Sequence, residues 1–182
     1  MILFIIFVIL LLILVNAFYV AAEFAAVSVR RNMIREMAEG GSKVAVHLLK
    51  ILENTRELDR YIAACQFGIT ISSLILGAYG QVQLSSYLLP LFERFGGMDS
   101  VMAASVSALV VLVGLTVFQV ILGELMPKSL ALQFPRQAAL YTYYPMRWTL
   151  TFFAWFIDFL NGSGLLLLKL FRLPPGGHQH IH

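Results

Sequence analysis

Three long apolar runs separated by polar stretches organise most of this 182-residue chain. The first covers residues 1–29 and is interrupted only by Asn16 and Glu23. A hydrocarbon core about 30 Å thick needs roughly 20 helical residues, so this run predicts a span over about 2–29 with length to spare. Residues 30–60 are polar, and Gly40, Gly41 and Ser42 divide them into two short pieces. In the second piece Val44, Leu48, Leu49, Ile51 and Leu52 recur at helical spacing, which predicts an amphipathic connection lying against the membrane. The next apolar run, 61–89, is rich in Ala, Gly, Ser and Thr, residues that let helices approach closely in a bilayer. Pro90 and residues 93–99 predict a short loop, and the third span runs over about 100–126 into Gly123-Glu124-Leu125-Met126-Pro127-Lys128.

The remainder reads less simply. Residues 137–160 are apolar enough to cross but carry Tyr141, Tyr143, Tyr144, Trp148, Trp155 and Asp158. Asn161-Gly162-Ser163-Gly164 predicts a turn, and 165–173 is too short to span. Tyr and Trp concentrate at the headgroup level, so the preferred reading is a juxtamembrane hairpin over 137–172 in the inner leaflet. A fourth span is the alternative; it would carry Lys169 and Arg172 to the outer side. Residues 174–182, opening Pro174-Pro175-Gly176-Gly177, read as a linker, and His178, His180 and His182 as part of it.

Composition narrows the class. The chain is 59% apolar and 13% charged, against about 25% charged in ordinary soluble domains, which excludes soluble globular, disordered and collagen-like readings. The fold class is therefore an all-α membrane protein. Cys65 is the single cysteine, so no internal disulfide forms. The net charge of +3 matters less than its placement. Seven of the 13 basic residues fall in 30–60, and only Arg94 lies in the 90–99 loop. Basic loops stay inside, so the N-terminus is expected outside, and 30–60 and the C-terminus in the cytoplasm. A secretory signal peptide would have a basic start and a shorter apolar region. The expected location is the cell membrane, multi-pass, which in a bacterium is the inner membrane.

Ionisable groups inside spans are costly and mark function by default. Only Glu23 and Glu124 qualify, and no basic residue lies within the apolar core of a span to pair with them. With the inner boundary near Arg30, Glu23 lies roughly 10 Å deep at 1.5 Å per residue. Gln66, Thr70, Ser73 and Gly77 share one face of the second helix, and Asn16 and Glu23 one face of the first, with Ser28 nearer the cytoplasm. Glu124 returns to similar depth. Pro127 cannot donate to the carbonyl four residues back, so Gly123 is expected to offer a free carbonyl beside the Glu124 carboxylate. One carboxylate among carbonyl and hydroxyl oxygens suits a hard cation such as magnesium; no histidine lies in a span, which argues against zinc or copper. The competing reading of each Ser or Thr is a bond to its own helix. Asn16 reads mainly as a packing or gating residue, and no nucleophile–base pair supports an intramembrane enzyme. Glu23, Asn16, Ser72 and Pro127 are expected along the ion pathway.

The segment from Asn16 to Ala25, Asn-Ala-Phe-Tyr-Val-Ala-Ala-Glu-Phe-Ala, followed by Ser28, Arg30 and Arg31, resembles the first-helix signature of the CorC/cyclin M (CNNM) family. Gln66-Phe67-Gly68-Ile69-Thr70-Ile71-Ser72-Ser73-Leu74 with Gly77 and Gly80 resembles its second helix. Gly123-Glu124-Leu125-Met126-Pro127-Lys128 is similar to its Gly-Glu-x-x-Pro-Lys motif. The resemblance covers essentially the whole chain. It implies a homodimer of three spanning helices with a juxtamembrane belt in contact with membrane lipid, exporting magnesium against sodium entry. It also implies a metal site of Glu124, Gly123, Ser28 and Ser73, with Thr70 and Gln66 on the polar second-helix face. Members continue into cytoplasmic CBS domains that bind ATP, so 174–182 is expected to lead toward such domains. A passive divalent-cation channel and a structural module without transport are the alternatives; no nucleic-acid partner is expected.

Overall fold

The computed structural model describes residues 1–97 and 99–170, and the described residues hold helices and no strand. In chain order they are α1 (Ile2–Ser28), α2 (Arg31–Glu39), α3 (Lys43–Glu53), α4 (Thr55–Gly96), α5 (Ser100–Phe118), a π-helical turn (Gln119–Leu125), α6 (Met126–Gln133), α7 (Pro135–Phe152) and α8 (Ala154–Leu170). Three stretches are long and apolar enough to cross a membrane: Ile2–Ser28, Thr55–Arg94 and Ser100–Gln133, of 27, 40 and 34 residues. The first matches the expected span within a residue. The others are longer than expected.

Local chemistry sets most of the boundaries. Gly41, at φ 91°, sits between α2 and α3, and the Ser42 hydroxyl accepts from Ala45 N to cap α3. Asn54 Oδ1 accepts from Arg56 N and Glu57 N at 3.0 and 3.4 Å, so α4 starts at Thr55, ahead of its apolar stretch. The loop expected from Pro90 onward is instead helix as far as Gly96. Proline removes one rung of the ladder, the bond to the Ser86 carbonyl, but Ser86 and Pro90 are both exposed, where solvent can satisfy that oxygen. The chain turns only at Gly97, with φ 58°, and Asp99 Oδ1 then caps α5 through Met102 N.

The turn expected at 161–164 is also helical, and the break falls at Phe153. Tertiary contacts decide this. Phe67 of α4 packs against Phe153 and Phe156, with ring centroids 5.1 and 4.8 Å apart, on both sides of the break. Arg60 pairs with Asp158 at 3.0 Å and ties α8 to the start of α4. The arms are therefore 135–152 and 154–170, and over the described residues neither is long and apolar enough to cross. Residues 171–182, including the expected linker and its histidines, lie outside the described residues.

Two apolar clusters hold the helices together. One gathers the ends of α1 and α6 with α2, α3, α7, α8 and the start of α4, around Ala25, Ile34, Leu48, Tyr61, Cys65, and Met146. The other joins Ile5, Ile9 and Ile13 of α1 to Leu76, Val111 and Leu115. Between these clusters, α1 and α4 bring polar residues into contact. Outside them, large apolar side chains such as Leu3, Leu74 and Leu109 are 61–79% exposed, as a lipid-facing surface requires.

Close approach of α1 to α4 depends on a small residue, as the composition of 61–89 implies. The Tyr19 ring packs on Gly68, and a Cβ there would meet it at 2.5 Å; the Tyr19 hydroxyl shares a 3.1 Å hydrogen bond with Thr149 Oγ1. Gly68→Ala should therefore destabilise the bundle by about 1–3 kcal/mol, because the stiff ring cannot yield without losing its α7 partner. Thermal unfolding in detergent checks this; an unchanged midpoint would show that α1 and α4 can separate there freely.

Candidate functional site

The centre of the polar layer is Asn16, which is fully buried on α1. An amide buried among apolar side chains is stable only if its hydrogen-bonding groups are used. Asn16 Nδ2 donates to the Gly123 carbonyl at 3.1 Å. Asn16 Oδ1 receives the Ser72 and Ser73 hydroxyls at 2.9 and 3.1 Å, and Gln119 Nε2 donates to Ser73 Oγ. One side chain thus links all three spanning segments.

The local backbone explains why Gly123 takes part. Pro127 is the second residue of α6 and leaves the Gly123 carbonyl without its ordinary helical donor. The helix does not break there. It widens into the π-helical turn, where Met126 N donates to Ile121 O, five residues back. The Asn16 amide fills the donor vacancy, so the carbonyl expected to be free is hydrogen-bonded. The crossing is tight, since a Cβ on Gly123 would lie 3.0 Å from Asn16 Nδ2 and push on that hydrogen bond.

Glu124 follows directly and is half-buried. Among the described residues it has no hydrogen-bond or ion-pair partner. Lys128, one turn further on, directs its ammonium over the Phe24 ring of α1, 4.5 Å from the centroid. The positive charge of this segment is thus held by an aromatic face. Glu23, also half-buried, has the Gln66 amide of α4 against its carboxylate.

The sequence-derived residues therefore fall into groups. Asn16, Ser72, Ser73 and Gly123 form one network, and Glu23 and Gln66 form a pair. Ser28 donates to Phe24 O and Thr70 to Gln66 O, each within its own helix, as the competing reading of such hydroxyls anticipates. No group of three or more His, Cys, Asp or Glu side chains that could hold a metal is found among the described residues. The layer thus holds the Gly123 carbonyl, the Ser72 and Ser73 hydroxyls and the Asn16 and Gln119 amides in one hydrogen-bonded network, and Glu124, the next residue after Gly123, has no partner among the described residues. Sequence reasoning missed Gln119, although a lone amide in an apolar run, four residues before Gly123, is itself a signal.

Residues 6–182 match the family described as "Cyclin M transmembrane N-terminal domain", CNNM. The chain belongs to the CNNM family. Its three apolar spanning stretches and this match make it a membrane protein. Relatives include the UPF0053 proteins YhdT and YrkA of Bacillus subtilis (strain 168). YhdT is 40% identical over 172 residues, covering 94% of this chain and 36% of YhdT. YrkA is 36% identical over 171 residues, covering 94% of this chain and 38% of YrkA. A protein of Haemophilus influenzae named "Polyamine export protein" is 25% identical over 163 residues, 89% of this chain and 36% of that protein. The chain thus spans under two-fifths of the length of these curated relatives.

Proposed function

We propose that this CNNM chain is the membrane module of a secondary-active magnesium exporter, driven by sodium entry. The observation that carries the reading is Glu124: a half-buried carboxylate without a partner among the described residues, next in sequence to the buried Gly123, in a π-helical turn that meets the Asn16 network. Intramembrane carboxylates without a partner mark ion pathways. In this reading Glu124 supplies the charge and the Gly123 carbonyl a neutral ligand. A carbonyl has two lone pairs, so Asn16 can retain one while a cation takes the other. Ser28, Ser73 and Thr70 contribute hydroxyls after rotating away from their present acceptors. Gln66, held at Glu23, lines the approach together with Ser72 and Pro127.

Alternating access fits a site seated between two apolar clusters, with each cluster able to part on its own side. The charge bias supports an outside N-terminus and a cytoplasmic C-terminus in a multi-pass protein of the cell membrane, the bacterial inner membrane. The family supports a homodimer, a belt formed by α7 and α8 at the inner leaflet, and CBS domains on the cytoplasmic side of the full-length protein. The polyamine exporter among the relatives favours a second reading, in which an organic polycation is the cargo of the same carboxylate.

Proteoliposomes carrying the chain and a magnesium-sensitive dye test the coupling. Magnesium flux is expected to fall severalfold when the sodium gradient is collapsed. A flux unchanged without the gradient would mean a passive channel, and a flux of spermidine but not of magnesium would establish the polyamine reading.

A further inference from the structure

One feature outside the cation layer lies on α7. Tyr144, Arg147, Trp148 and Thr151 follow i, i+3, i+4, i+7 spacing, so they share one face of the helix. With Phe152 and Phe153 they line an open cavity of about 730 Å³. Its aromatic walls are largely uncovered: Tyr144 is 56% exposed, Trp148 80% and Phe152 77%. Arg147 also borders a smaller cavity with His47 and Ile51 of α3 and Tyr61 of α4. Arg147 thus sits where the polar connection meets the start of a spanning stretch.

The polar atoms around this cavity divide sharply. The Thr149 and Thr151 hydroxyls are committed, to Pro145 O and Tyr19 on one hand and to Arg147 O on the other. The side chains of Arg147, Tyr144 and Trp148 have no hydrogen-bond or ion-pair partner among the described residues. A guanidinium fork, a phenol and an indole N–H are thus left uncommitted above an apolar trough. Guanidinium forks match phosphate oxygens bidentately, phenol and indole favour the headgroup level, and aromatic walls suit acyl chains. A protein partner would have to bring both an acid and an apolar segment to this place. A phospholipid of the adjoining leaflet carries both.

We propose that the α7 face around Arg147 binds one anionic phospholipid, its phosphate on Arg147 and its acyl chains along Trp148 and Phe152. The site is separate from the cation layer and stands or falls independently of the transport reading. By the charge bias this leaflet is the cytoplasmic one, where basic pockets meet anionic headgroups.

Native mass spectrometry of the detergent-purified 182-residue chain, titrated with phosphatidylglycerol and with phosphatidylcholine, tests it. Wild type is expected to retain phosphatidylglycerol several-fold more tightly, because both lipids offer Arg147 a phosphate but the choline ammonium of phosphatidylcholine offsets its charge. Arg147→Gln should abolish that preference and Arg147→Lys should keep most of it. Trp148→Ala should weaken both lipids alike, since it removes the trough and leaves the charge. An equal preference in Arg147→Gln, or no retention of phosphatidylglycerol by wild type, overturns the proposal. Disulfide-linked dimers of Trp148→Cys would also overturn it, because a second copy would then cover this face.

Discussion

Glu124→Gln is expected to cut magnesium transport and magnesium affinity by about 100-fold or more. The substitution keeps the shape of the side chain and removes its charge, and cation sites are tuned over such ranges by the charge count of their ligands. At an effective dielectric of about 20, unit charges 4 Å apart attract by about 4 kcal/mol, and a divalent ion doubles the charge. A loss of about 2.7 kcal/mol, equivalent to 100-fold, is thus a modest fraction of that attraction. Folding should be untouched, because Glu124 has no partner among the described residues to lose. Paired measurements of transport in proteoliposomes and thermal midpoint in detergent check both halves. Glu23→Gln should cost less, since Gln66 already sits against that carboxylate.

Asn16→Ala should have the opposite profile, a large loss of stability. It removes the donor to the Gly123 carbonyl and the acceptor of the Ser72 and Ser73 hydroxyls, and leaves a void in a fully buried position. Hydrogen bonds between membrane helices average about 0.6 kcal/mol each, and the three here plus the void make roughly 2–4 kcal/mol. The thermal midpoint should drop by several degrees, and transport should fall through loss of folded protein and misplacement of Gly123. A variant as stable as wild type would mean that the three spans are held together without this amide.

Much of this was written in the periodicity. Apolar length predicts the three stretches able to cross a membrane, and the Gly40–Ser42 interruption the separation of α2 from α3. Where the structure departs from this pattern, a local breaker is overruled by its surroundings. Pro90 looks like a helix stop, yet its orphaned carbonyl sits on an exposed stretch, and the chain turns only at Gly97. The Asn161–Gly164 segment looks like a turn, yet the Phe67 contacts to Phe153 and Phe156 and the Arg60–Asp158 pair move the break to Phe153.

At the site the same distinction holds. The orphaning of the Gly123 carbonyl follows from Pro127 alone and was legible. That its substitute donor comes from Asn16, 107 residues earlier, is a fact of packing between α1 and the π-helical turn. No spacing rule reaches that far. Ser28 and Thr70 show the limit from the other side, since a hydroxyl on a polar face and one bonded to its own helix share the same sequence pattern.

The most direct test is a calorimetric titration of the purified chain with magnesium chloride, run side by side on wild type and Glu124→Gln. If Glu124 is the charged ligand, wild type shows one saturable site per chain and the variant, folded to the same midpoint, shows none at the same concentrations. Equal saturable binding by both proteins would place the cation elsewhere and remove Glu124 from the site.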